Sequence, residues 1–60
     1  MEMEGEQVLD ELLKKANAGQ LPEKKAAMIK RLHERVAAGH GLNEMQEELV
    51  RDLGMEYGIS

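Results

Sequence analysis

Apolar residues recur at spacings of three and four along three separate segments of this chain, with polar residues between them. The apolar sets are Val8, Leu9, Leu12, Leu13 and Ala16 in the first segment, Met28, Ile29, Leu32 and Val36 in the second, and Met45, Leu49, Val50 and Leu53 in the third. Because an α-helix turns about 100° per residue, each set falls on one face of a helix. The pattern predicts three amphipathic helices over residues 7–18, 22–38 and 44–53, with these apolar residues as the core and Met28 at its semi-exposed edge.

Two similar joints separate the segments, at residues 18–23 and 38–44, and the second has one extra residue. Each joint begins with Ala-Gly, and a glycine directly after a helix readily takes the left-handed backbone that ends it. Pro22 favours the first turn of a helix, and Asn43 with Gln46 has the spacing of a capping box. These features predict an all-α fold with three short helices in an up-down-up bundle joined by tight glycine-containing turns.

The 60 residues are expected to form one small domain. Residues 1–6 are predicted to be a flexible acidic N-terminus. Gly54 is predicted to end the third helix, which leaves residues 55–60 as a C-terminal tail. The apolar residues of this tail are Met55, Tyr57 and Ile59. Either they fold back to cover the bundle, or they form part of an interface.

The composition limits how stable such a domain can be by itself. The chain has no cysteine, no tryptophan, no phenylalanine and one tyrosine, so its core is aliphatic and has no disulfide. A single core of this size rarely supplies more than about 3–5 kcal/mol without a disulfide, a metal or a partner chain. Self-association, as a dimer, or a protein partner is therefore expected.

Acidic and basic residues are concentrated in different segments of the chain. Residues 1–21 contain five acidic residues and two lysines, residues 22–41 contain five basic and two acidic residues, and residues 42–60 contain five acidic residues and one arginine. A basic middle helix therefore lies between two acidic ones. The arrangement favours electrostatic matching of neighbouring helices, within one chain or across a dimer, and the alternative is a basic surface that recruits an acidic partner.

The sequence offers almost nothing for catalysis. It has no threonine or cysteine, and its one serine is the last residue, Ser60. His33, at the margin of the middle helix's apolar stripe, is interpreted as a partly buried structural residue, and His40 as an ordinary loop residue. Two histidines without further ligands do not make a zinc site. We expect no enzyme activity, metal, cofactor or small-molecule substrate.

The apolar runs are too short to span a membrane, and the acidic N-terminus is unlike a secretory signal. A cytoplasmic location with no membrane partner is expected.

The leading hypothesis is a small non-enzymatic protein-interaction module, such as a regulator, adaptor or inhibitor, that binds a partner protein through a helical surface. The residues predicted to bind the partner are Met28, Arg31, Arg35, Met55, Tyr57 and Ile59. Methionines beside arginines or a tyrosine adapt well to a partner surface.

The alternative is a small DNA-binding regulator that uses the basic middle helix. Residues 33–42 place Ala37 and Gly41 much as a helix-turn-helix does. The helix that would then enter the groove carries four acidic residues, at positions 44, 47, 48 and 52. Because acidic side chains repel phosphates, a nucleic-acid partner is disfavoured.

Overall fold

The protein is an all-α bundle of three helices. The computed structural model describes residues 4–59, and these contain α1 (Gly5–Asn17), α2 (Glu23–Ala37) and α3 (Glu44–Glu56), with no strand in that range. Helix α1 packs against both α2 and α3. The predicted fold class and number of helices are confirmed. None of these helices combines the length and the apolar character that crossing a bilayer requires.

Two interhelical contacts define the directions of the helices. Asp10 in the first half of α1 contacts His33 in the second half of α2, so these two helices run in opposite directions. Lys25 in the first turn of α2 contacts Glu56 at the end of α3, so α2 and α3 also run in opposite directions. The chain therefore follows the predicted up-down-up course.

The core is centred on α1. The buried hydrophobic residues are Val8, Leu9, Leu12, Ala16, Leu21, Ile29, Leu32, Val50 and Leu53. Leu21 belongs to the first joint, where the sequence pattern had not placed a core residue. Leu13 and Val36, which the pattern assigns to the core, are only partly buried at its edge, and Met28, expected at that edge, is partly buried as well.

Both joints end their helices as predicted. Gly19 has a φ of 72° and Gly39 a φ of 86°, in the region that side chains with a Cβ rarely occupy. In each joint the residue after the glycine closes the turn with a backbone hydrogen bond. The Gln20 N–H donates to the Lys15 carbonyl at 2.9 Å, and the His40 N–H donates to the Arg35 carbonyl at 3.0 Å.

The helix starts are partly as predicted. Asn43 Oδ1 accepts the Gln46 N–H at 2.7 Å, and the Asn43 N–H donates to Gln46 Oε1 at 3.1 Å, which is the predicted capping box. Helix α1 begins two residues before the expected start. The Glu4 N–H donates to Gln7 Oε1 at 3.3 Å, which supports this earlier start. Residues 5–6 are therefore helical, and residues 1–3 of the expected flexible segment lie outside the described residues.

The predicted end of α3 at Gly54 is wrong. Gly54 is buried within the helix, which continues to Glu56. The residue with left-handed backbone is Gly58, with a φ of 74°, and the Ile59 N–H donates to the Gly54 carbonyl at 2.7 Å. Gly54 is instead a point of close helix approach, because its missing side chain leaves room for Val8.

The predicted burial of Met45 and Leu49 is also wrong. Met45 is 78% exposed and Leu49 is 38% exposed. The apolar residues of α3 span a wider arc than the part of the helix that contacts the core. The contact is made by Val50, Leu53 and Gly54, on one side of the helix. Met45 and Leu49 lie on the other side of that arc and extend beyond the contact.

Candidate functional site

The predicted binding residues of α2 form one strip on its surface. Met28, Arg31 and Arg35 are separated by three and four residues, so they lie above one another on the helix. Met28 is partly buried against the core, and both arginines are exposed. Within residues 4–59 neither guanidinium forms a salt bridge, which leaves both available to a partner's carboxylates.

The predicted binding residues at the C-terminus do not form one surface. Tyr57 and Ile59 fold back and pack against the core, where both are partly buried. Met55, by contrast, is 76% exposed. Helical spacing places Met55 on the side of α3 opposite Leu53, and therefore facing away from the bundle. The structure thus separates Met55 from the other two.

Lys25 links α2 to the end of α3. Its Nζ lies 3.0 Å from Glu56 Oε1 and 3.1 Å from Oε2, and 5.5 Å from the centre of the Tyr57 ring. The hydrogen bond that Lys25 donates to the Glu56 carboxylate is the main reason that the pKa of Lys25 is raised above its ordinary value. The contact determines which sides of α2 and α3 face one another at this end.

The exposed side chains of Met45 and Leu49 lie on the side of α3 that faces α2. Their positions are eleven and seven residues before Glu56, which places all three on one face of the helix. Glu56 contacts Lys25 of α2, so the face of α3 that carries Met45, Leu49 and Glu56 is the one next to α2. On α2, Met28 is three residues after Lys25 and lies on the corresponding side. The sequence contained one indication of this surface, namely that the apolar arc of α3 was wider than one neighbouring helix covers.

The backbones of α2 and α3 stay apart. No Cα atom of α2 lies within 8 Å of a Cα atom of α3, whereas α1 approaches both closely. The flanks of α2 and α3 are therefore not closed against each other by tight helix packing. We call this side of the molecule the α2–α3 face, and it consists of Met28, Arg31, Arg35, Met45 and Leu49.

The rims of the α2–α3 face have opposite charge. Helical spacing places Lys24 in line with Arg31 and Arg35 along the outer edge of α2. Glu48 and Asp52, both exposed, follow the outer edge of α3 beside Met45 and Leu49. Together with its rims, the face is therefore apolar in the middle, basic along one edge and acidic along the other.

The histidines occupy the places that the sequence suggested. His33 is partly buried, and its Nε2 lies 2.9 Å from Asp10 Oδ1, where it links α2 to α1. His40 is exposed in the second joint. Among residues 4–59, no three or more histidine, aspartate or glutamate side chains are placed to hold a metal ion together.

One depression outside the α2–α3 face lies between the start of α1 and α3. Glu4, Glu6 and Glu47 line it together with Arg51 and Leu42. It is an open surface feature lined mainly by charged residues of one sign, and it lacks the apolar walls typical of a small-molecule site.

No family model, curated protein or solved structure matches this chain.

Proposed function

We propose that this protein is a small non-enzymatic interaction module that binds another protein chain through its α2–α3 face. One observation carries the proposal. Met45 and Leu49 remain exposed one turn apart, on a face of α3 that borders the arginine strip of α2. Exposed apolar side chains bordered by charge are typical of protein-binding surfaces.

The apolar part of the face supplies the binding energy in this proposal. Covering Met45 and Leu49 removes apolar surface from water, which contributes about 25 cal/mol for each Å². Methionine side chains adapt their shape to a partner at little cost because they are unbranched and have several rotatable bonds. Met28, already partly buried, extends the apolar contact onto α2.

The charged rims supply orientation. Arg31 and Arg35 are positioned to meet carboxylates of the partner, and Glu48 and Asp52 to meet its basic groups. Exposed ion pairs contribute little affinity, and their main effect is on association rate and on the choice of partner. A module of this kind acts by occupying or bridging surfaces of other proteins, as a regulator, adaptor or inhibitor does. A cytoplasmic location is part of the proposal.

The test compares three tagged forms of the full chain as baits in a lysate of the native host: wild type, Met45→Glu/Leu49→Glu and Met55→Glu. Met55 is a matched control because it is as exposed as Met45 on the same helix, while helical spacing places it beyond Glu48, on the side of that rim away from Met45 and Leu49. We expect proteins that are captured by wild type and Met55→Glu and lost with the double variant. Untagged copies of the chain are added to the lysate, and a second copy of the chain that shows this pattern of capture also supports the proposal.

Equal capture by all three baits, or no capture by any, would contradict the proposal. Circular dichroism of the purified baits checks that each variant keeps its helices. Because none of the three substituted side chains is buried, with Met45 78%, Leu49 38% and Met55 76% exposed, we expect all three spectra to agree.

A further inference from the structure

We propose that the chain forms a symmetric dimer in which the α2–α3 faces of two copies pack together, with α2 of each copy over α3 of the other. This inference rests on the proposed function, since it names the partner of the same face. The charges of the two rims, the symmetry of a dimer and the small size of the core all favour this arrangement.

The two rims of the face are complementary to each other. The edge of α2 carries Lys24, Arg31 and Arg35, and the edge of α3 carries Glu48 and Asp52. Over the wider segments, residues 22–41 have an excess of basic residues and residues 42–60 an excess of acidic residues. A surface that is basic along one edge and acidic along the other matches a second copy of itself.

Symmetry selects one arrangement of the two copies. A two-fold axis that runs parallel to α2 and α3, between the two faces, places α2 of one copy opposite α3 of the other, and does so twice. A two-fold axis across the helices would place α2 against α2 and α3 against α3, so that like charges would oppose each other. The charge distribution therefore favours the parallel axis.

The small size of the core also favours a second copy of the chain as the partner. In each copy Met45 is 78% exposed and Leu49 38% exposed, and Met28 is only partly covered. A domain of 60 residues buries little apolar surface by itself, and it has no disulfide to compensate. Covering the same residues on both copies adds to the core of each.

The experiment measures the mass of the purified full chain by sedimentation velocity, from about 10 μM to about 1 mM. We expect the mass to reach twice the 6.7 kDa of one chain within this range. Met45→Glu/Leu49→Glu should remain at the mass of one chain, and Met55→Glu should behave as wild type. Circular dichroism confirms that each variant is folded.

Charge exchange tests the arrangement of the helices. Arg31→Glu/Arg35→Glu makes both rims acidic, and Glu48→Lys/Asp52→Lys makes both rims basic. Each variant alone should dimerise at least tenfold more weakly than wild type. An equimolar mixture should recover dimers at about the wild-type concentration, because each acidic edge then meets a basic one. The weakening of each variant alone identifies the arrangement, because α2 over α2 and α3 over α3 would already oppose like charges in wild type. Recovery in the mixture shows that the weakening comes from the charges of the rims.

The possible outcomes separate this inference from the proposed function. A wild-type chain that stays at the mass of one copy over the whole range overturns the dimer. If the same chain still captures a different protein through Met45 and Leu49, that face binds a foreign partner and the proposed function stands. A dimer unaffected by the α2–α3 substitutions, or a mixture that recovers nothing, overturns the proposed arrangement.

Discussion

A methyl group added to Gly54 would lie 2.6 Å from Cγ1 of Val8, so this glycine permits the close approach of α3 to α1. Gly54 is buried in the middle of a helical turn, and Val8 is buried on the face of α1 that it meets. The pair therefore determines how closely the two helices pack.

Gly54→Ala should destabilise the fold. Valine is branched at Cβ and has one strongly preferred rotamer in a helix, so Val8 cannot move aside freely. Overpacking of this kind costs about 1–3 kcal/mol, and the better helix propensity of alanine offsets about 1 kcal/mol of that. Urea unfolding followed by circular dichroism should show a net loss of stability.

Gly5→Ala is the matched control, because a Cβ at Gly5 meets no atom within 4 Å. Its stability should equal or slightly exceed that of wild type. Val8→Ala in combination with Gly54→Ala should cost less than the sum of the two single changes, since the smaller side chain makes room. A Gly54→Ala protein as stable as wild type would show that the helices do not depend on this contact.

Asn43→Ala should remove the cap of α3. The Asn43 Oδ1 atom accepts the N–H of Gln46 at 2.7 Å, which satisfies a backbone donor that has no partner within the helix. Loss of such a cap costs about 1 kcal/mol. Thermal unfolding should give a lower midpoint for Asn43→Ala than for Asn17→Ala, whose side chain makes no hydrogen bond among the described residues. Equal midpoints would contradict a stabilising cap.

The contact of Lys25 with Glu56 should weaken at alkaline pH. The pKa of Lys25 is raised above the ordinary value of 10.5, so the folded protein holds this proton more tightly than the unfolded chain does. The resulting stabilisation is complete below the unfolded pKa and is lost as pH rises through the folded one.

Lys25→Gln measures this effect against wild type. The difference in unfolding temperature between the two proteins should be constant between about pH 7 and about pH 9 and should shrink above about pH 10.5. Lys24→Gln is the control, because Lys24 is exposed and forms no salt bridge among residues 4–59. A Lys25→Gln difference that does not change with pH would contradict the proton linkage.

The proposed protein-binding function and the DNA-binding alternative predict different results with duplex DNA. A helix-turn-helix requires its two helices to pack closely, whereas no Cα atom of α2 comes within 8 Å of one in α3. Fluorescence anisotropy with generic duplex DNA at low salt should therefore show no binding up to about 50 μM protein. Binding that weakens steeply as salt is added would favour the alternative.

The local structure of this protein follows from its sequence. The spacing of apolar residues located three helices, Gly19 and Gly39 ended two of them, and Asn43 started the third, because these features act within a few residues of the backbone. Local rules failed at Gly54. A glycine that ends a helix and a glycine that admits a neighbouring helix have the same appearance in a sequence, and only the position of Val8 distinguishes them.

The candidate site depended on tertiary structure. The sequence identified the strip of Met28, Arg31 and Arg35, since residues on one helix are related by its period alone. It placed Met45 and Leu49 in the core, and it grouped Met55 with Tyr57 and Ile59. The part of an apolar arc that is buried depends on the position of the neighbouring helix. The spacing of residues along one helix gives no information about that position. The packing of α1 against one side of α3 decided that Met45 and Leu49 stay exposed.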